Sequence, residues 1–563
     1  SFVFKSMTIT QRRLYLLFFI ILFFLTAPVI VLFAKGYRFD TVNNIFVYSG
    51  SITIKSAPRD IDIYVDNKKQ KKSKLSVING SYTLNGIRPG KHTIACKKEG
   101  YTSWSKTINV HSGISTEFWN ILLLPNTGLE ENTFIVENVK QFFLSPRNNT
   151  EVVLFSEKDD LRIVALLNTE DNSVKTIYET SEFNFLPQSE KENVEWSSDN
   201  KRILMPFSSS DGEKIFIIAK VDKENLEDII VLNDLFKEEN GVTIKKGLET
   251  ETSKEKGISK KADQKISTVP SLNEEVSTNQ ATIIPETTQI KDDVTENASD
   301  KIEFKQVRWM FNKNDELVIL TKNHELLYVD IQKPDQALLL DNQVGGFDFA
   351  GNRIYYFHLV DNSIWEIKNN DIETKKQIAS ILTITDKDSF VKMVTYDQYR
   401  IAIMTPNQKL FLFNYEKEEG EVSIKELSGE IQDIQFSDDG KKLLYWSDNE
   451  IWYVMLRDWE VQPIREKGEK FMITRSSAPI YNVQWIEDYE NIFFTIGDTV
   501  KSSGIDTRDH IELVNVQKND VEIENRDVIY DKNTQLLYSK KSVAGQLRLH
   551  SSKLIDRGGF LGL

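Results

Sequence analysis

An apolar stretch that breaks at a short polar turn and resumes as a second apolar stretch recurs eight times along this chain. Trp196-Ser-Ser-Asp-Asn-Lys-Arg-Ile-Leu204 and Phe436-Ser-Asp-Asp-Gly-Lys-Lys-Leu-Leu444 are the clearest copies. Looser ones run through Leu144-Ser-Pro146, Met310-Phe-Asn-Lys-Asn314, Phe349-Ala-Gly-Asn352, Thr395-Tyr-Asp-Gln398, Trp485-Ile-Glu-Asp488 and Tyr530-Asp-Lys-Asn533. Most lie roughly 40–50 residues apart, the period of a four-stranded propeller blade. Such a unit cannot bury its apolar faces alone, so several must stack around a common axis. Units begin near residues 140, 193, 305, 346, 391, 432, 482 and 523, predicting eight blades over 132–553, or seven if the final unit is an irregular cap. A stretch such as Thr133-Phe-Ile-Val136 is placed to close the ring onto the last blade, removing the sheet edges that invite aggregation.

The 563-residue length calls for more than one folded unit. A formal net charge of −14 argues against nucleic acid as a partner. A single cysteine, Cys96, excludes an intramolecular disulfide, and its place in the alternating stretch Thr93-Ile-Ala-Cys96 predicts a buried strand position.

Residues 14–33 read LYLLFFIILFFLTAPVIVLF, without a charge. At about 1.5 Å per residue this run spans roughly 30 Å, the thickness of a bilayer's hydrocarbon core. It is longer than the apolar part of a signal peptide and its end, Val31-Leu-Phe-Ala-Lys35, lacks a small-residue cleavage pattern, so an uncleaved transmembrane helix over 14–34 is expected. The lipid bilayer is thus the first expected partner. Lys5, Arg12 and Arg13 precede the run while Lys35 and Arg38 follow it, a slight positive-inside bias, and Met7 as initiator would remove Lys5 from that count. The expected layout is a cytoplasmic tail over 1–13, a single pass, and the bulk of the chain extracytoplasmic. The alternative is a propeller facing the cytoplasm.

Between the helix and the repeats, Ser51-Ile-Thr-Ile-Lys-Ser56 and Ile61-Asp-Ile-Tyr-Val-Asp66 alternate with period two, and strands follow at residues 92–97 and 104–110. Four features carry a resemblance: an opening strand plus Ser56-Ala-Pro58, the strand end Tyr64-Val-Asp66, the turn Leu84…Arg88-Pro-Gly90, and Lys98-Glu-Gly-Tyr101 before a closing Leu122-Leu-Leu-Pro125. Residues 46–125 so resemble the PEGA domain, a small β-sandwich of bacterial envelope proteins. The four-residue motif that names that family is replaced here by Pro58-Arg-Asp-Ile61, which predicts a wider turn. The resemblance implies a surface or spacer module and carries no catalytic residues. Lys68-Lys69 and Lys71-Lys72-Ser-Lys74 read as a basic hairpin tip, either solvated or touching acidic headgroups.

Ser437-Asp-Asp-Gly-Lys-Lys442 and Ser198-Asp-Asn-Lys-Arg202 resemble the strand-joining turns of TolB-like and WD40-like propellers, and only partly an Asp-box, since no Trp follows Ser437 at the expected place. Their acids belong to turns that need positive φ and local side-chain hydrogen bonds. Residues 237–304 are rich in Lys, Glu, Thr, Ser, Gln and Asn and show no sustained period, predicting a disordered inter-blade insertion; 554–563 read as a tail.

The chain has no phosphate loop, G-x-S-x-G, H-E-x-x-H or paired-cysteine spacing. His92, His111, His324, His358, His510 and His550 are scattered among different units. No catalytic, cofactor-binding or metal-ligating residue is assigned, no cofactor is expected, and the chain is not expected to be an enzyme. Trp104, Trp119, Trp365, Trp446, Trp452 and Trp459 are either packed between blades or exposed for stacking on sugars and side chains. The expected fold is all-β apart from one helix. The expected role is a membrane-anchored envelope scaffold whose propeller docks protein or cell-wall glycan. Alternatives are a propeller hydrolase or lyase acting on envelope polysaccharide, signalled by two or three facing acids, and a lattice-forming surface-layer component.

Overall fold

The computed structural model describes residues 9–40, 45–71, 79–186, 194–222, 229–237, 245–246, 302–380, 390–416, 424–486, 489–519, 524 and 527–555. One helix, Ile9–Ala34, opens the chain, and 0% of its most apolar window is buried inside the protein. With no protein surface to cover them, these side chains suit hydrocarbon. Two short strands follow, Tyr37–Asp40 and Ile45–Tyr48, paired antiparallel.

The chain then builds a sandwich. One sheet orders Tyr82–Ile87, Gly50–Ala57 and Ser115–Leu122, the last two parallel. The other orders Lys68–Lys69, Asp62–Val65, Gly90–Lys97 and Trp104–Val110. Inward positions at every second residue give the core: Ile52, Ile54, Ile63, Ile94, Cys96 and Phe118. Cys96 is buried as the alternation predicts, and burial pushes its thiol well above the ordinary range. Lys68 and Lys69 are exposed; Lys72 and Lys74 of the expected basic tip lie outside the described residues.

Among the described residues, eight sheets follow. In chain order their innermost strands are Val139–Leu144, Asn184–Phe185 with Glu195–Trp196, Phe304–Trp309, Val344–Ala350, Lys392–Asp397, Asp433–Phe436, Ile480–Trp485 and Val528–Asp531. From its inner strand each sheet runs outward through at least three successive antiparallel strands, whose middle ones, such as Ile203–Phe207 within Arg202–Ser208, are buried on both faces. Apolar faces meet between consecutive sheets. Phe155 and Val164 of the first pack with Met205 and Phe207 of the second, and Leu444 and Tyr453 of the sixth with Trp485 and Phe494 of the seventh. The series closes, because Tyr538 and Leu549 of the eighth sheet share a core with Val139, Phe142 and Leu154 of the first. Each fully buried Phe or Leu contributes about 1.5–3 kcal/mol.

The closing strand sits slightly earlier than the sequence suggested. Glu131–Thr133, rather than residues 133–136, pairs with Gln546–Lys553 as the outermost strand of the eighth sheet, with Phe134 N donating to Leu549 O at 2.9 Å. Phe134 itself turns into the core, which ends the strand. Most of the inserted stretch 237–304, and the tail from 556, lie outside the described residues. Lys245–Lys246 pair in parallel with the outer strand Leu338–Asp341, and Phe304 is strand, buried against Phe216 and Phe236.

His550 Nδ1 meets Thr133 Oγ1 at 3.0 Å across the closing pair. Burial, helped by Lys541 and opposed by Glu131 and a hydrogen bond with Asn132, lowers its pKa below the ordinary 6.5. The unfolded chain therefore binds the proton more readily, so closure is fully stabilised above about pH 6.5 and weakens as pH falls below it. The protection of residues 131–134 against hydrogen exchange, taken relative to the intrinsic exchange rate at each pH, is expected to fall between pH 7 and pH 5.5, and His550→Gln is expected to flatten that dependence.

Candidate functional site: the axial ring and the domain junction

The innermost strand of each sheet is an edge, and its outward N–H groups need acceptors. In seven of the eight sheets the inner strand carries a polar residue immediately before an aromatic one: Gln141-Phe142, Glu195-Trp196, Arg308-Trp309, Asp348-Phe349, Thr395-Tyr396, Gln435-Phe436 and Gln484-Trp485. Four of these polar side chains accept a backbone N–H from the next sheet's edge. Glu195 Oε2 accepts from Trp309 N at 3.1 Å and Asp348 Oδ2 from Thr395 N at 2.6 Å. Gln435 Oε1 accepts from Trp485 N at 3.0 Å and Gln484 Oε1 from Tyr530 N at 2.9 Å. One device thus ties the second sheet to the third, the fourth to the fifth, the sixth to the seventh and the seventh to the eighth.

Arg308, on the third sheet, sits between the two carboxylates. It pairs with Glu195 on one side and with Asp348 at 2.9 Å on the other, while its guanidinium packs over Phe349 at 5.5 Å. Burial raises the pKa of Glu195, with Arg308 pulling the other way. Burial would likewise discharge Arg308, but Glu195 and Asp348 outweigh it and hold the guanidinium charged. Each carboxylate accepts one backbone N–H and pairs with the guanidinium through its other oxygen.

A second buried charge cluster joins the sixth and seventh sheets. Lys442, 0% exposed, pairs with Glu490 at 2.9 Å, and Arg465 pairs with the same carboxylate at 3.4 Å. Trp459 covers the lysine, its ring 4.5 Å from Lys442 Nζ. The turn acids serve as expected. Ser437 Oγ donates to Asp439 Oδ1 at 2.6 Å and accepts from Lys442 N at 3.0 Å, and Ser197 does the same with Asp199 and Arg202 at 2.7 and 3.0 Å. Gly440 and Asn200 supply the positive φ, at 64° and 56°.

Beside this cluster the sandwich is clamped to the seventh sheet. Lys106, 2% exposed, donates to the carbonyls of Asp506 at 2.8 Å and Arg508 at 2.7 Å, and also to that of His510. Burial lowers its pKa, opposed by Asp506. Thr107 N donates to Asp509 Oδ2 at 2.8 Å, Arg508 donates to Glu117 O at 2.9 Å and lies over Phe118 at 4.4 Å, and Asn491 donates to Asn120 O at 2.9 Å. Gln462 holds Ser115 O and Glu117 N at 2.8 and 3.1 Å. Leu122 and Leu124 meanwhile enter the core between the seventh and eighth sheets. Trp104, Trp119, Glu490 and Glu512 line a cleft along this junction.

The tryptophans divide accordingly. Trp446 is buried between sheets, Trp104 packs edge-on to Phe118 at 4.9 Å, and Trp365 and Trp452 donate to Ser363 Oγ and Glu450 Oε2 at 2.6 and 2.7 Å. The histidines stay apart, and four have their own local partners: His92 with Asp66 at 2.6 Å, His358 with Asp361 at 2.8 Å, His510 with Asp509 at 3.0 Å, and His324 stacked on Phe390 at 4.3 Å. The sequence reading missed the axial staples. Their signal, a polar residue before an aromatic in most inner strands, is visible only once the repeats are aligned by register.

Residues 49–122 match the PEGA domain. No curated protein matches the chain in sequence. Among solved structures, the chain is similar to the β-propeller domain of Cps50 (Swd1) from Myceliophteria thermophila, at 10% identity and TM-score 0.36 over 74% of this chain and 98% of that one. It is also similar to the Dos1 propeller, at 11% identity and TM-score 0.42 over 76% and 95%, and to a prolyl endopeptidase, at 10% and 0.37 over 73% and 54%.

Arg308→Met is expected to leave two facing carboxylates without their shared cation and to destabilise the ring by about 3–5 kcal/mol in chemical denaturation. Glu195→Gln is expected to cost far less, because glutamine already fills the equivalent position at Gln435 and Gln484. Lys106→Met strands the 506, 508 and 510 carbonyls. A loss of about 3 kcal/mol is expected, read as faster hydrogen exchange confined to residues 105–107 and 506–510.

Proposed function

We propose that this chain is a single-pass, membrane-anchored docking platform of a cell envelope, in which the PEGA domain bears an eight-bladed propeller rigidly and the propeller presents a surface to another protein or to glycan. The helix gives the anchor. A PEGA domain joined to a propeller supports a binding or scaffold role. The observation that carries the non-catalytic reading is the state of the axial acids: Glu195 and Asp348 each close a neighbouring sheet's edge and share one arginine. A general acid needs a proton to give, and a nucleophilic carboxylate needs a free lone pair aimed at substrate. The clamp at Lys106 supports the platform, since it fixes the seventh sheet to the module that follows the membrane helix. With the amino terminus inside, the propeller stands outside the membrane.

Protease added to intact cells is expected to cleave the propeller and spare residues 9–34, and crosslinking in the same membranes is expected to join the propeller to one recurrent neighbour. Asp348→Asn should leave that crosslink in place. Cleavage of envelope polysaccharide by the purified chain, lost in Asp348→Asn, would establish the hydrolase or lyase instead. Protection of the propeller in intact cells would reverse the topology.

A further inference from the structure

The ribbon between the helix and the PEGA domain has no place in the docking role, yet its composition is specific. Tyr37 pairs with Tyr48 and Phe39 with Phe46 in register, so all four aromatics share one face of the two-stranded ribbon. The pairs touch, with ring centroids 5.3 and 5.2 Å apart. This face remains open: Phe39, Phe46 and Tyr48 are 46%, 42% and 44% exposed. A two-stranded ribbon alone is marginal in water, and a face of four aromatics needs a cover.

The position of the ribbon names that cover. Only two residues separate it from the end of the helix, where the chain leaves the hydrocarbon core, and Tyr and Trp collect at that depth because an aromatic ring with a polar edge suits the headgroup layer. The ribbon is also fastened on both sides. Arg38 reaches back to Phe33 O at 3.0 Å, serving a helix-terminal carbonyl, and its guanidinium lies 3.7 Å over the Phe33 ring. Ser49 N and Oγ donate to Gly36 O at 3.1 and 2.6 Å, and Gly113 N donates to Ser49 O at 3.2 Å. The Tyr48 ring lies so close to Gly36 and Gly113 that a Cβ on either would fall 2.9 and 2.4 Å from it. Ile114, next to Gly113, is exposed.

We infer that the aromatic face of the ribbon Tyr37–Asp40/Ile45–Tyr48 lies in the lipid headgroup layer, as an interfacial plate that sets the tilt of the PEGA domain and propeller over the membrane. This rests on the reading that helix Ile9–Ala34 spans the bilayer. The plate converts a single helix, which leaves a domain free to swing, into a two-point attachment. The hydrogen bonds through Ser49 carry that attachment into the PEGA sheet, and Lys106 carries it into the propeller.

The full chain reconstituted in phosphatidylcholine–phosphatidylglycerol vesicles tests the inference. Because Cys96 is buried, a cysteine introduced by Phe46→Cys can be labelled selectively with an environment-sensitive fluorophore; Val360→Cys, on an exposed turn, serves as control. The label at 46 is expected to emit blue-shifted and to be quenched by lipids carrying a nitroxide near the headgroup, while the label at 360 stays in water and unquenched. A label at 46 that is wet while the protein floats with the vesicles overturns the inference and leaves the spanning helix standing. A label shielded from water but unquenched by lipid also overturns it, in favour of a second copy on that face. Protein that does not float with the vesicles at all refutes the spanning helix itself. Phe39→Ser is expected to weaken headgroup quenching at 46 without changing flotation.

Discussion

A ring of radially stacked sheets has edges at its axis as well as at its rim, and each inner strand there carries N–H groups that no further strand can pair. The fold depends on how those groups are satisfied. Here the acceptor comes from the neighbouring sheet, through a side chain one position before the inner-strand aromatic. The same bond closes an edge and fixes the spacing of two sheets, so backbone satisfaction and tertiary packing are one event. At the rim the answer is different: a real strand, Glu131–Thr133, returns from the amino-terminal side and completes the last sheet. Charge at the axis follows from this requirement. Two carboxylates brought so close need a cation between them, and Arg308 on the intervening sheet supplies it.

The second theme is continuity. From the end of the helix to the seventh sheet, the path runs through directional contacts: Arg38 on the last helical turn, Ser49 between Gly36 and Gly113, Lys106 on three carbonyls of one loop, and Gln462 on the strand Ser115–Leu122. Apolar contact reinforces it where Leu122 and Leu124 enter the propeller core. A buried lysine costs desolvation free energy, and three carbonyls at a single loop offset it only when the loop keeps its shape. The junction therefore joins one domain to one conformation of the other.

Much of the architecture was legible because apolar periodicity is local. The second and third strands of each sheet, such as Lys442–Trp446 and Glu450–Met455, are buried on both faces and read as near-continuous apolar runs. Their turns carry the Ser-x-Asp-Gly or Ser-x-Asp-Asn chemistry that positive φ demands. Outer strands were not legible: half of Asp371–Ser380 is exposed and only one of its residues is buried, so no apolar pattern marks it. The strand Ser115–Leu122 was missed for another reason. It pairs in parallel with Gly50–Ala57, more than sixty residues away, and its mixed composition makes sense only against that partner. The ribbon after the helix was missed because two runs of four residues are too short to establish a period.

What the sequence determined by itself was the set of parts: a span long and apolar enough for a bilayer, a PEGA-like sandwich, and repeats that must stack because none can bury its own faces. These are properties of neighbouring residues, set by periods of two and of about forty. The tertiary structure decided which charges meet. Glu195, Arg308 and Asp348 are distant in the chain and converge only when the second, third and fourth sheets are brought to the axis, and Lys106 finds its carbonyls only across the domain junction. Hydrogen bonds and ion pairs act over a few ångströms in space, whatever the separation along the chain, so their partners are fixed by the ring and not by the order of residues.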